Sequence, residues 1–470
     1  MTKTVANRSP ASAQMQMAAA KGRALMGGTD AMRKARTKYL PKFGKESNEA
    51  YEARLHSSWL FNGFRKTVRD MTGRVFSKPV EVTEAPDRIE EWCENADLQG
   101  RDLSTFARDV FEDALSGPGI SYIMVDAPPR EGVITQAQAQ RQNLRPYLIH
   151  LRAEDILGWK TEIVDNVTVL SQLRISEDYT ETDPNDEFAE VTKHQVRVLD
   201  RANGFVLSRI FRKGVRDEWN EVPELTATYG LPEITVVPFY ANRTGFFTGA
   251  PLLDDLADIN IAHWQSQSDQ RNILHYARVP ILFGAGVARD SIGTIGASTA
   301  VIADDPNASL SWVEHSGKAI EAGRQDLKDL EFQMETFGLQ LLTARPSAQS
   351  ATGEMLDANK ETSILAMTAD QLQDAIEQAL VWMAEYGGLG DSGGDAVVNK
   401  DFGVTMMSAQ EIAVLLNAVN TGNISRKTFL EELARRGAIR ADIDVEAEFD
   451  RLDEEDVGGT PEPLPVIDAA

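Results

Sequence analysis

A single cysteine, Cys93, in 470 residues excludes an intrachain disulfide and any metal site built on paired thiolates. No run of about 18 apolar residues occurs, the length that a membrane-crossing helix needs. Met1 to Gly28 is polar and Ala/Met-rich, without the apolar core of a secretory signal, so synthesis in the cytoplasm and no membrane partner are expected. The six histidines are His56, His150, His194, His263, His275 and His315, and none stands at HxH or HExxH spacing. Positive charge is also short. There are 48 Lys and Arg against 72 Asp and Glu, a formal charge of −24. That sign is the reverse of a protein that grips DNA by neutralising phosphates. Solubility and self-repulsion account for it; so does a surface past which DNA slides without sticking.

Catalytic motifs are equally scarce. Gly284-Ala285-Gly286 opens like a dinucleotide loop, but Arg289 stands where the third glycine belongs. There is no GxxxxGK[ST] loop, so the chain is not itself an ATP-driven motor, and no GxSxG elbow. Asp304-Asp305 runs into Pro306-Asn307 and reads as an acidic turn. No catalytic residue, metal ligand or cofactor is expected.

What is present is a core-forming composition, 42% hydrophobic and 26% charged, and a length that suits two to four structural units. The charge is polarised along the chain. From Met1 to Lys42 nine basic residues face one acid, Asp30; from Asp442 to Asp456 nine acids face Arg451. These ends read as a flexible basic arm, residues 1–45, and an acidic tail, flexible over 457–470.

Between them the first half reads as α+β. Leu60, Phe64, Val68 and Met71 form one helical stripe stopped by Gly73. A second helix runs through Leu103, Phe106, Val110 and Ala114, with Asp102 or Ser104 as N-cap. Strands are expected at Ile120–Val125, Tyr147–Leu151, Ile163–Ile175, His194–Leu199, Gly204–Arg212 and Ile234–Tyr240. From Pro251 the pattern changes to a helix of roughly 25 residues, about 37 Å long. Its centre, Gln265-Ser266-Gln267-Ser268-Asp269-Gln270, is unusually polar. So wet a helix suits a place between equivalent subunits better than a monomer core. Strands at Val279–Phe283, Ala300–Ala303 and Ser309–Val313 interrupt the helical pattern. A second long helix follows from Lys318 to about Leu342, then a small-residue loop at 343–353 and a third helix from Glu354 to Tyr386. A strand at Ala396–Met406 leads to helices capped by Ser408, with Glu411 at capping-box spacing, and by Ser425.

This order of elements resembles the portal proteins of tailed bacteriophages. Local sequence carries the same likeness at Phe61-Asn62-Gly63-Phe64-Arg65-Lys66-Thr67-Val68 and Gly73-Arg74-Val75-Phe76-Ser77-Lys78-Pro79. It recurs at Pro238-Phe239-Tyr240-Ala241-Asn242-Arg243, leading to Pro251-Leu252-Leu253-Asp254-Asp255-Leu256-Ala257, and at Ala277-Arg278-Val279-Pro280-Ile281-Leu282. The likeness spans Tyr51 to Gly437 and is diffuse, with no single diagnostic motif.

The resemblance implies a portal fold: an α/β wing, long stem helices, a β-containing clip, a tunnel loop and a small helical crown. The wing would be 46–250, the stem helices 251–278 and 317–342, the clip 279–316 and the tunnel loop 343–353. The long wing helix and returning strand would be 354–407, and the crown 408–456. It further implies a homo-oligomeric ring, usually of twelve subunits, at one vertex of the virion capsid, assembled in the host cytoplasm. Its partners would be the terminase large subunit, head–tail adaptor and tail proteins, and the major capsid or scaffolding protein. Double-stranded DNA would pass through in both directions without sequence readout. On that reading Arg345, Arg271, Lys318, Arg324 and Lys328 are the candidate channel contacts. For Arg324 and Lys328, pairing of Glu321 with Arg324 and Lys328 with Glu331 is a sufficient alternative role. Three other readings stand beside this one: another head–tail connector, a phage enzyme of unknown chemistry, and a monomeric scaffold of helical hairpins.

Overall fold

The computed structural model describes residues 4–128, 141–183, 186–202, 204–214, 217–278, 281–286, 307–313, 318–339, 351–400, 409–435 and 438–439, with a few positions between 443 and 451. It is an α+β structure. Helices α1 (Pro10–Met26), α2 (Gly28–Ala35), α3 (Asn48–Ser57) and α4 (Gly63–Val75) come first. Strand β1 (Glu81–Thr83), α5 (Asp87–Cys93) and α6 (Leu103–Ser116) follow. Asp102 caps α6, its carboxylate accepting from the Thr105 amide at 2.7 Å. The stripe at 60–71 does not end at Gly73: Asn62 caps α4, and the helix continues to Val75, whose side chain is buried.

Two antiparallel sheets form the β core. One has the order β10-β2-β3, from β2 (Ile120–Asp126), β3 (Tyr147–Arg152) and β10 (Val236–Tyr240). The other runs β4-β5-β6-β7-β8, from β4 (Ile156–Val164), β5 (Val167–Asp183), β6 (Asp186–Ala202), β7 (Phe205–Lys213) and β8 (Trp219–Glu221), with β9 (Ala227–Tyr229) also on β7. The strand expected at 163–175 is in fact a hairpin corner. Asp165 and Asn166 both have positive φ, 50° and 66°, the two-residue turn that matches strand twist. Two short strands, β11 (Arg243–Gly245) and β12 (Thr248–Gly249), precede the long helices.

Helix α7 (Asp254–Ala277) starts three residues after Pro251. Strands β13 (Ile281–Ala285) and β14 (Ser309–Val313) pair antiparallel, Ile281 opposite Val313 and Ala285 opposite Ser309. Helix α8 (Lys318–Met334) ends earlier than expected, passing into a wider π turn at Glu335–Leu339. Helix α9 (Ala351–Gly387) takes in the last three residues of the expected loop; the rest of that loop lies outside the described residues. Leu365, Ala369, Leu372, Ile376, Ala379 and Met383 are buried along it at spacings of three and four. Strand β15 is only Asp395–Val397, paired with β1, because 398–400 leave extended pairing; the remainder of that expected strand and Ala300–Ala303 are outside the described residues.

The chain forms two compact units, residues 1–349 with 364–400, and residues 350–363 with 401–470. In the second, α10 (Ala409–Asn420) and α11 (Arg426–Arg435) are small helices, the latter capped by Ser425 through the Thr428 amide at 3.0 Å. Ser408 and the 457–470 tail lie outside the described residues.

The basic arm is the main correction. Residues 4–45 are folded onto the core: Met15, Ala19, Leu25 and Met32 are each at most 3% exposed. Val5 packs with Leu157, Val196, Val198 and Phe211. Arg174 fixes the leading segment by donating to the carbonyls of Thr4, Val5 and Asn7 at 3.1, 2.6 and 2.8 Å. The apolar period was faint because α1 presents small residues to its neighbours rather than a stripe of large ones. Gly22 makes the closest approach. A Cβ there would stand 2.0 Å from the Ser116 carbonyl oxygen. Gly22→Ala would be neutral or stabilising in a free helix, where alanine is favoured by about 1 kcal/mol. Here it is expected to lower stability by about 1–3 kcal/mol through overpacking, read by urea denaturation.

Candidate functional site: the paired helices

Helices α7 and α8 lie antiparallel, as their contacts show. His263 meets Glu331, Ser266 donates to Asp326, and Gln270 Nε2 donates to the Ile320 carbonyl at 2.9 Å. Gly323 permits this approach, since a Cβ there would stand 2.1 Å from Gln270 Oε1. The polar centre of α7 is therefore absorbed within the chain. Ser268 and Gln270 are buried, and Gln265 donates to the Tyr39 carbonyl at 3.0 Å. The expectation that this stretch needs a neighbouring subunit is overturned for the face it buries.

Three attachments hold α7. At its start Lys21 bridges Asp254 and Asp258 at 2.8 and 2.7 Å. One turn on, fully buried Asn260 accepts from the Phe64 amide at 2.9 Å and donates to the Phe61 carbonyl at 2.7 Å. Further along, Arg54 is 3% exposed and donates to both Glu46 oxygens at 2.8 and 2.9 Å, to the Pro41 carbonyl and to Ser268. That fork holds the Glu46 carboxyl below its usual range. Phe43 stacks against the guanidinium, 4.1 Å from ring centroid to Cζ.

A second ionic centre joins α1 to the sheets. Arg23 reaches Glu154 at 2.6 Å and Asp113 at 2.7 Å. Asp113 also accepts from Ser121 at 3.0 Å and faces His150 at 3.5 Å. Burial alone would raise the Asp113 carboxyl; His150 and Arg23 outweigh it and the group is lowered. Ser121, His150 and Asp113 are the residue types of a hydrolase triad, but the geometry is wrong. Serine and aspartate both approach His150 Nε2, and among the described residues no acid orients the other ring nitrogen from the far side. Ser121 is also wholly buried. The cluster is a structural lock.

Among the sequence candidates, Arg324 and Lys328 are exposed one turn apart on α8, and Arg271 is exposed on α7 off the seam. The pairs Glu321–Arg324 and Lys328–Glu331 are not formed; Glu331 instead lies 3.4 Å from His263. Lys318 opens α8, its side chain outside the described residues, and so is Arg345. The structure thus places three of the five on the outer surface of one helix pair. The cations Lys34, Arg36, Lys38, Lys42 and Lys45, which the sequence places in a flexible basic arm, are exposed on a folded segment.

Comparison with known proteins gives the following. The model of a family described as a domain of unknown function, DUF4055, matches residues 251–387, spanning α7 to α9. No curated protein matches. Among solved structures, the neck of a native gene transfer agent (GTA) particle computed with C12 symmetry is similar at 11% identity and TM-score 0.40, covering 78% of this chain and 88% of that one. The neck of the empty GTA particle, computed with C6 symmetry, gives 11% and 0.41, covering 80% and 89%. The virion of the native particle gives 11% and 0.38, covering 79% and 89%. Likeness at this level assigns no function. No helix among the described residues is long and apolar enough to cross a membrane.

His263 supplies a pH test of the α7–α8 seam. It is 1% exposed, and burial holds its pKa below the ordinary 6.5 despite Glu331. The folded protein keeps it neutral while the unfolded chain takes up a proton below about 6.5, so stability falls as pH drops through that window. The melting temperature is expected to fall between about pH 7.5 and 5, and His263→Gln to make that fall shallower. An equal slope in the variant contradicts the packing described.

Proposed function

We propose that this chain is the portal protein of a tailed phage or phage-like particle: a non-enzymatic ring subunit through which double-stranded DNA is packaged and ejected. The observation that carries the reading is the order of elements. An α+β module leads into a long polar helix, a pair of β strands, an antiparallel return helix and then the 37-residue α9. In a closed ring a heterologous contact repeats until rotation closes it. The helix pair then presents one face to its own chain and leaves another free for a neighbour or a wet channel. The DUF4055 match falls on this same helical part and is compatible with the reading, but gives it no chemistry.

The mechanism is mechanical. DNA that moves both ways cannot be held by many phosphate contacts, since each adds a salt-dependent binding term. The helix pair suits this. From Asp254 to Ala277 four acids face Arg271, and from Lys318 to Met334 four acids face three cations. Arg271, Arg324 and Lys328, with Lys318 and Arg345, are the proposed phosphate contacts, weak and blind to sequence. The antiparallel β13–β14 pair is the proposed docking point for the terminase large subunit and then for head–tail adaptor and tail proteins. The major capsid or scaffolding protein would surround the ring. The site of action would be the virion vertex, after assembly in the host cytoplasm.

Negative-stain electron microscopy of the purified protein is expected to show closed rings, near twelve-fold, with a hole that admits a DNA duplex. Monodisperse monomers at high protein concentration across several salt conditions would contradict the proposal.

A further inference from the structure

Strands β5 and β6 outrun their sheet. Strand β4 pairs with β5 only as far as Ile175, and β7 pairs with β6 only from Gln195. Residues 176–183 and 186–194 therefore pair with each other alone, a two-stranded ribbon about 25 Å long at ~3.4 Å per residue. An isolated ribbon with two open edges is marginal in water unless something covers it. Its composition is one-sided: Glu177, Asp178, Glu181, Asp183, Asp186, Glu187 and Glu190 stand against Lys193 and His194. Glu177 is taken up by Arg197 at 2.7 Å, while Lys193 meets Glu181 and His194 meets Asp178, which leaves Glu187 and Glu190 as the acids the test reverses. Phe188, near its end, is 88% exposed.

The same chain carries the complement. Residues 31–45 hold Arg33, Lys34, Arg36, Lys38, Lys42 and Lys45 and no acid. Lys34 and Lys45 are exposed without an ion pair among the described residues, and Phe43 beside them is 47% exposed. A cationic cleft elsewhere on the chain has most of its cations engaged. It has a volume of about 390 Å³ and is lined by Arg8, Lys160, Arg174 and Arg209. There Arg8 and Arg174 bind backbone carbonyls and Arg209 binds Asp200.

We propose that the acidic β5–β6 ribbon of one subunit docks on the basic 31–45 surface of the next copy of this chain. The inference rests on the ring reading. Subunits of formal charge −24 repel each other, so a closed ring needs local attraction at each repeated contact. A projecting anionic ribbon and a fixed cationic patch on one chain form a heterologous pair of that kind, each with an exposed aromatic ring to desolvate. Charge complementarity also fixes register and suppresses wrong pairings.

The test begins from wild-type rings seen by microscopy; without them the ring reading itself fails. Glu187→Lys with Glu190→Lys is expected to shift the protein from rings to smaller species, and Lys34→Glu with Lys38→Glu to do the same. The chain carrying all four changes should recover rings. Coexpression of one chain with Glu187→Cys and another with Lys34→Cys, treated with a short bismaleimide, should give cross-linked dimers that neither chain gives alone. Cys93 is a poor competitor, since burial pushes its thiol up to about 12. Wild-type-like rings in both reversal variants, with no mixed cross-link, would overturn the docking and leave the ring intact. Reversal of the basic patch that weakens duplex retention but not assembly would also overturn it, making 31–45 a nucleic-acid surface instead.

Discussion

The structure depends on burying one polar helix. On α7, Asn260, His263, Ser268 and Gln270 are at most 7% exposed, and each brings groups that cost free energy when stripped of water without a partner. The surrounding segments exist in their observed places to meet that demand. The loop before α4 supplies the Phe61 carbonyl and the Phe64 amide, Arg54 supplies a donor to Ser268, and α8 supplies the Ile320 carbonyl. Not every group is satisfied. Among the described residues His263 Nδ1, Trp264 Nε1 and Gln270 Oε1 have no hydrogen-bond partner. Residues 4–60 are part of this arrangement: without them α7 would lose Lys21, Arg54 and the Tyr39 carbonyl together.

Sequence reading recovered the elements whose periodicity is local. Helix α6 with its Asp102 cap, strands β2, β3 and β10, and α9 are legible because each buries apolar residues at regular spacing; α7 and α8 are legible as long stretches without a helix breaker. What escaped depends on pairs distant in sequence. The contact of Gly22 with Ser116, the bridge from Arg23 to Glu154 and the carbonyls gathered by Arg174 leave no local trace. A basic, Ala-rich segment therefore read as an arm. The polar run Gln265–Gln270 was legible as anomalous, but its cause lay in α8 and in residues 39–54 rather than in another subunit. The Asp165–Asn166 turn was visible as residue types and was passed over inside a longer apolar alternation. Of the five candidate contacts that the portal resemblance implies, Arg271, Arg324 and Lys328 are exposed; the side chains of Lys318 and Arg345 lie outside the described residues.

Charge organises the molecule at two scales. Ion pairs of Arg23 and Arg197, and the contacts of buried Arg54 with Ser268 and Asp269, join elements far apart in the chain. Removing one partner from such a pair strands a buried charge, which makes these positions costly to change. At the surface, sixteen Lys and Arg against five Asp and Glu in residues 1–80 set a cationic region within an acidic protein. In the proposed ring these two scales are one design: internal pairs keep each subunit rigid, and the polarised surface gives like-charged subunits a direction in which to attract.

The claim that α7 is fixed by its own chain is tested most directly by hydrogen exchange of residues 254–277 in the dissociated subunit. The amides from Asn260 to Gln270 are expected to be protected in the single chain and to change little on assembly. Fast exchange there in the single chain, with protection gained only on oligomerisation, would contradict the account and return the polar helix to the interface between subunits.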